Sequence, residues 1–382
     1  MAEAYGIVIA GGGPVGAALA LGLRASRHRI ALLEARAPGE TSADARMIAL
    51  SHGSRLILER SGVWPELADV TPITTIVISQ QRRFGRVELT AREAGVPALG
   101  YMASYSALRR SLVNALADSG IQVLPGCIAR AFDGRAQGAA LEVECAGVTT
   151  RLEANLVAFA DGAEGIQLAR IEEREYRQSA LICNVRSESA HRNRAFERFT
   201  PEGPIALLPS THGWSLVWTA RPAHVIELAA LDPQAFCAKL HTAFGASLGR
   251  FTMAGERQVF PLKLKYARRP DAPRAVLIGN AAQTLHPVAG QGLNLGLRDA
   301  WELATAIRDA NDAGAAATIS AYVAGRRFDR TATIAFTDTL IRLFSNDIPL
   351  LDRAGAAGLT IFGGIPACKN FLVRRMMFGA RG

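Results

Sequence analysis

The segment GIVIAGGGPVGAALALGLRASRHRIALLEAR, residues 6–36, constrains the fold more than any other stretch of the chain. Its apolar start, Gly6 to Ala10, reads as a buried strand. Gly11, Gly13 and Gly16 follow in G-x-G-x-x-G spacing and open an Ala- and Leu-rich helix. Glu34 closes the next apolar run, eighteen residues after Gly16. That order predicts a βαβ unit whose glycines let a pyrophosphate approach backbone amides at a positive helix end, with the acid accepting ribose hydroxyls. Tyr5 to Leu23 carries no charge, but three consecutive glycines and Pro14 interrupt it and no basic n-region precedes it. A membrane span would need about twenty unbroken apolar residues, so both a span and a signal h-region are rejected.

A second signature, VLIGNAAQTLHPVAGQGLNLGLRDA at residues 276–300, turns the dinucleotide into a flavin. Ala275 to Ile278 reads as a strand ending at Gly279. Gly290-Gln291-Gly292 then opens a helix from Leu293 to about Asp309. Exposed amides at such a helix start favour the negative charge that a reduced flavin carries. Here the chain resembles the aromatic-ring flavoprotein monooxygenases of the p-hydroxybenzoate hydroxylase class, and within them the ubiquinone-biosynthesis hydroxylases. Their motif commonly reads G-D-A-A-H-x-x-x-P-x-x-G-Q-G-x-N. This chain places Gly279, Asn280, Ala281, Ala282, Gln283, Pro287, Gly290, Gln291, Gly292 and Asn294 at those positions, so Asn280 and Gln283 replace the usual Asp and His. That form resembles the branch acting on 2-polyprenyl-6-methoxyphenol. An Asn amide can still bond ribityl hydroxyls while removing a negative charge near the flavin phosphates.

The resemblance runs from about Tyr5 to Arg375 and implies further cofactor residues. Arg46, in DARMIAL, matches an Arg that approaches the flavin; a solvated loop Arg is the other reading. Arg109 matches a position that reaches the FAD phosphates. Asp161, in Ala160-Asp161-Gly162, matches the Asp that contacts both flavin and pyridine nucleotide. The Ser and Arg that usually follow are absent, with Gly165 and Leu168 in their places, which implies a trimmed entry site for NAD(P)H. Leu293, Asn294, Gly290, Gln291 and Gly292 complete the expected FAD contacts.

The fold expected is α/β: an FAD-binding Rossmann-like domain of glutathione-reductase type (1–72, 98–170, 271–335) interleaved with a mainly antiparallel β-sheet substrate domain (73–97, 171–270), then a C-terminal helical segment (336–382). The strands expected in the second domain include ALICNVRSE, AFERFTPEG, PIALLPS, GWSLVWTA and RQVFPLKLKYA, joined by a pair from Thr75 to Gln80 and Gly85 to Leu89. Pro287, Leu207 and Trp218 are candidates for an apolar pocket around a phenol with an isoprenoid tail. The tail of the chain mixes apolar positions with Lys369, Arg374, Arg375 and Arg381. It suits either an anionic membrane surface or partner, or packing against the flavin domain with solvated arginines.

A balance of 43 basic to 34 acidic residues gives a net charge of +9 without a basic, aromatic-interleaved patch, so nucleic acid is excluded as a partner. Five cysteines without C-x-x-C spacing read as reduced structural thiols in the cytoplasm. Seven dispersed histidines leave no metal site legible.

The resemblance implies that NAD(P)H reduces FAD and that one atom of O2 is added to the ring of a polyprenylated phenol in ubiquinone biosynthesis. It further implies peripheral contact with the inner face of the membrane, and a ubiquinone-synthesis complex as partner. A low-turnover quinone-lipid binding or assembly subunit of such a complex is the alternative. No catalytic acid or base is legible beyond His286, which stands beside Pro287 and has a structural loop histidine as its other reading.

Overall fold

The computed structural model describes every residue except 1–2, 38–39, 41–43, 45, 82–84, 161–165, 167, 345–364 and 380–382. The chain is a mixed α/β protein built on three sheets. The first has five parallel strands in the order Ala275–Leu277, Val148–Phe159, Glu3–Ala10, Ile30–Glu34 and Gln122–Pro125. Ile7, Val8 and Ile9 have no exposure at all, which is why this run reads as continuously apolar: both sheet faces are covered. On one face, the helix Pro14–Gly22 packs against the helices Gln291–Ile307 and Tyr105–Ala117. Small residues set that approach, because a Cβ on Gly296 would strike Val15 and one on Gly22 would press on Ala304.

The other face is covered by an element absent from the sequence reading, the antiparallel meander Cys127–Arg135, Gly138–Cys145 and Val148–Phe159. Its register sets Cys127 opposite Cys145, and the two form a disulfide. The expectation of five reduced cysteines is therefore corrected. The sequence spacing of 18 residues hid a pairing that only the hairpin brings about. Cys183 and Cys237 are buried free thiols and Cys368 is half-buried.

The second sheet has nine strands. Gln283–Thr284, Gln258–Ala267, Ile171–Ser187, Gly213–Ala220, Gly203–Ser210, Arg194–Thr200, Thr75–Gln80 and Arg86–Thr90 lie in that order, with Phe251–Ala254 beside Ile171–Ser187. All pairings are antiparallel except that of Arg194–Thr200 with Thr75–Gln80. Two helices that the sequence reading did not anticipate, Pro222–Ala230 and Pro233–Phe244, bury one face over Trp214, Leu216 and Trp218. A small third sheet is formed by Met47–Ser51, Gly100–Ser104 and Thr71–Ile73 in that order.

The helix Ala316–Phe344 is fastened to Gln291–Ile307 by buried charge. Arg326 donates from Nε to Asp299 Oδ1 at 2.9 Å and from Nη1 to Asp329 Oδ2 at 2.8 Å and Glu302 Oε1 at 3.0 Å. Arg298 Nε donates to the same Asp329 oxygen at 3.0 Å. Burial would lower the Arg326 pKa, but Asp299 and Asp329 more than offset it and hold the guanidinium above its ordinary value. Arg326→Met should leave buried carboxylates without their counter-charge and cost about 3–5 kcal/mol, read as a lower denaturant midpoint.

Candidate functional site

A cavity of about 670 Å³ separates the start of the helix Gln291–Ile307 from the face of the second sheet opposite the helices Pro222–Ala230 and Pro233–Phe244. Its floor is made by the two glycine signatures. Gly13, Pro14, Val15 and Gly16 come from the N-terminal turn, Asn280 from the turn after Ala275–Leu277, and Pro287, Gly290, Gly292 and Leu293 from the helix entry. Gly290 caps that helix with φ +59°, a left-handed conformation that glycine adopts freely, and Gly279 turns the chain with φ +58° against Val15.

The two kinds of glycine in this floor have different tasks. A Cβ on Gly16 would collide with the Gly11 carbonyl, and one on Gly12 with Glu34, so these positions are closed by the protein itself. Gly13 and Gly292 face open space, each at a helix start with free backbone amides nearby. This is the cradle a flavin dinucleotide fits: backbone can touch phosphate or ring only where no side chain intervenes.

The acid of the first signature stands ready beside it. Glu34 Oε1 accepts from the Arg36 backbone N–H at 3.0 Å and Oε2 from Arg109 Nη2 at 2.9 Å. Arg109, expected at the FAD phosphates, is thus engaged with the expected ribose acid. Arg46 lines the cavity, held by Asp44 through Nε at 2.8 and 3.0 Å, with its guanidinium over the rings of Tyr105 and Phe260. That bidentate hold lowers the Asp44 pKa and raises that of Arg46. Asp161 and Gly165 lie outside the described residues, whereas Leu168, the other departure from the family pattern, packs with Ile166 against the cluster that includes Phe159.

Three groups of expectations are corrected by geometry: two cofactor residues, the candidate base and two substrate residues. Asn294 does not face the cavity. Its Oδ1 accepts from Ser51 N–H at 2.8 Å and Ser54 Oγ at 2.6 Å, while its Nδ2 donates to Ala49 O at 2.9 Å and Gly290 O at 2.6 Å. Its bonding capacity is spent on bracing Met47–Ser51 against the helix start. Gln291 is buried and likewise absent from the cavity wall. His286 is fully buried outside that wall, with Nδ1 accepting from Val288 N–H at 3.1 Å and the ring edge-on to Tyr176. Desolvation pushes its pKa down to about 3, so it stays a neutral loop histidine rather than a base.

Leu207 and Trp218 are the third correction. Both face the helices Pro222–Ala230 and Pro233–Phe244, because successive side chains on a strand alternate between faces. Their neighbours Ala206, Leu208, Val217 and Thr219 line the cavity instead. The same alternation brings in a residue the sequence reading missed, Glu197, between Ala195 and Phe199 on the cavity face of Arg194–Thr200. Burial pushes its carboxyl up to about 7. Gln283, the departure from the family His, is satisfied inside the protein, donating from Nε2 to Asp299 Oδ2 at 2.7 Å.

The far end of the cavity is apolar and is closed by the C-terminal helices. Phe336 and Leu340 come from Ala316–Phe344, Leu372 and Met376 from Pro366–Phe378. The latter helix packs on the protein, with Val373 and Met377 buried, Ser51 Oγ donating to Met377 O at 3.1 Å and Lys369 paired with Glu93 at 2.9 Å. No helix of the described residues is long and apolar enough to cross a membrane.

Known proteins place this geometry. Residues 4–337 match the FAD binding domain family. The chain is 34% identical to "Ubiquinone hydroxylase UbiL" of Rhodospirillum rubrum over 97% of this chain and 89% of that one. It is 32% identical to "3-demethoxyubiquinol 3-hydroxylase" of Escherichia coli over 90% and 91%. Against "Ubiquinone biosynthesis monooxygenase COQ6, mitochondrial" of Homo sapiens the figures are 29%, 96% and 91%. Among solved structures, p-nitrophenol 4-monooxygenase PnpA from Pseudomonas putida superposes with a TM-score of 0.78 at 16% identity, covering 100% of both chains, which shows the fold. The chain belongs to the FAD-binding-domain family and, within it, to the FAD-dependent hydroxylases of ubiquinone biosynthesis.

Two outcomes follow from the site. Gly13→Val should give a folded protein without FAD, because it fills only the cradle, whereas Gly16→Ala should itself lower the melting temperature of the apoprotein. FAD absorbance and apoprotein melting separate the two. Because folded Glu197 keeps its proton up to about 7 and the unfolded side chain releases it near 4.5, its contribution is full below about 4.5 and is lost as pH rises through 7. Glu197→Gln should therefore melt with the parent at pH 5 and a few degrees above it at pH 8.

Proposed function

We propose that this enzyme hydroxylates a polyprenylated phenol, adding one atom of O2 with NAD(P)H as the reductant. The observation that carries the reading is the continuity of one cavity from the glycine cradle, past the sheet wall, to an apolar end lined by Phe336, Leu340, Leu372 and Met376. Bound FAD supplies the redox chemistry, taking electrons from NAD(P)H and making O2 reactive toward an electron-rich ring. In this reading Gly13, Gly16, Gly290, Gly292, Leu293 and Asn280 hold the cofactor, with Glu34, Arg46, Arg109 and Asp161 around it. The segments 1–72, 98–170 and 271–335 form the cofactor domain, and 73–97 with 171–270 form the substrate domain.

The remaining wall orients the ring and keeps water out. Pro287, Leu285 and Val288 border the cofactor side, and Ile76, Ile78, Ile182, Ala206 and Val217 face it across the cavity. This wall replaces solvent around the reacting ring, where positioning and a dry surround do most of the work. The tail then runs toward Phe336, Leu340, Leu372 and Met376. Phe371 and Phe328, 70% and 67% exposed, stand on the same two helices with Arg374 and Arg375, and Arg375 lies over the Phe328 ring. That mixture supports a peripheral contact with an anionic membrane, from which such a substrate would enter, and the same face would serve a ubiquinone-synthesis complex.

The test is made on purified holoenzyme with 2-geranyl-6-methoxyphenol, NAD(P)H and 18O2. The enzyme should carry one FAD that acid precipitation releases entirely, and the phenol should gain one 18O atom. Full FAD with no oxygenated product would overturn the reading.

A further inference from the structure

We propose that Glu197 is the catalytic proton acceptor for the phenolic hydroxyl of the substrate; the assignment rests on the hydroxylase reading above and names the residue that reading leaves open. Pairing sets Glu197 opposite Ile78 on one neighbouring strand and Ala206 on the other, in an apolar wall. It is the sole carboxylate on the cavity wall among the described residues. The other ionisable groups there are Arg46, committed to Asp44, and Tyr105. On its own and the adjoining strands, Arg194, Arg198, Arg86 and Glu88 alternate to the opposite face, where Arg194 pairs with Glu88 and Arg198 lies over Phe244.

Glu197 is half-buried, and a glutamate kept for stability in such a wall would be tied to a cation or a donor, since a carboxylate drawn into an apolar wall without one is costly. Glu197 has neither among the described residues, and desolvation is the cause of its raised pKa. Its free oxygens face the space where the ring must lie. A carboxyl pushed up to about 7 also narrows the gap to a phenol near 10 from about 5.5 to about 3, which favours proton transfer.

The proton passes from the phenol oxygen to a Glu197 carboxylate oxygen, and the O–H electron pair enters the ring. Transfer of hydroxyl from the O2-derived oxidant forms a ring C–O bond and leaves a dienone whose carbonyl is the former phenol oxygen. The ring C–H proton departs to solvent, Glu197 returns its proton to that oxygen, and an aromatic diol and a regenerated carboxylate remain.

The deciding experiment uses FAD-loaded enzyme and 2-geranyl-6-methoxyphenol, comparing the parent with Glu197→Gln and Glu197→Asp. Binding is read from the perturbed flavin absorbance between pH 6 and 8, and hydroxylation from single turnovers of pre-reduced enzyme mixed with O2. The parent should bind the phenol roughly tenfold more tightly at pH 8 than at pH 6, as the acceptor ionises through about 7. Glu197→Gln should flatten that profile and slow hydroxylation by about 10² to 10⁴, with Glu197→Asp recovering some of both. A parent that hydroxylates and a Gln variant that matches it in rate and pH profile would overturn the assignment alone. A parent that neither binds nor hydroxylates the phenol would overturn the functional reading and the assignment with it.

Discussion

Asp299 is the constraint on which the active region hangs. Its side chain is almost wholly buried, yet both oxygens are in use. Oδ2 accepts from the Gly279 N–H at 3.2 Å and from Gln283 at 2.7 Å, and Oδ1 accepts from Arg326. One carboxylate therefore joins the turn after Ala275–Leu277, the helix Gln291–Ile307 and the helix Ala316–Phe344. The turn presents Asn280 to the cavity, the first helix presents Gly292 and Leu293, and the second presents Phe336 and Leu340. A buried charge so fully bonded is costly to move, which fixes the cofactor floor relative to the apolar end. It also explains why glutamine is tolerated at position 283: its amide donates into the interior, on a partner the chain already holds.

Much of this was legible in the sequence, because the signals were local. The G-x-G-x-x-G turn with its acid, the glycine pair opening Gln291–Ile307 and the alternating strands around 171–270 each declare themselves within a few residues. What could not be read depended on register between distant strands. Leu207 and Trp218 looked like pocket residues because they are large and apolar. A pleat of one residue instead turned them toward two helices, and smaller neighbours line the cavity. Glu197 was visible in AFERFT as a charge sharing a face with Ala195 and Phe199, but only the folded sheet shows that this face borders the cavity. The Cys127–Cys145 bond was hidden for the same reason, as was the Asp299, Arg326 and Asp329 cluster, whose members are spread over two helices.

His286 illustrates how proximity in sequence misleads. It stands next to Pro287, which does border the cavity, and a titratable ring beside a cofactor loop is a natural candidate for acid–base work. The chain buries it instead, giving Nδ1 to a backbone N–H two residues on and holding the ring against Tyr176. Its role is to shape the turn that delivers Pro287 and Gly290. Asn294 acts in a similar way from the first turn of the helix, where four bonds to backbone and serine fix the strand Met47–Ser51 beneath the cavity.

The distribution of charge around the cavity is consistent across its two sides. The cofactor side offers backbone amides, a helix start and the neutral Asn280, all compatible with the negative charge a flavin gains on reduction. An aspartate at 280 would add a negative charge to that side. Among the described residues the facing wall carries one carboxylate, Glu197, and it has no counter-ion there to hold it charged. If it takes a proton from a bound phenol, the negative charge moves onto the ring and the wall becomes neutral, so the transfer itself adds no charge to the cavity. An apolar surround strengthens the attraction of that ring anion to the helix start, since the effective dielectric there is far below that of water. The arrangement would fail with a permanent cation beside Glu197, which would pin the charge on the wall and deny it to the ring.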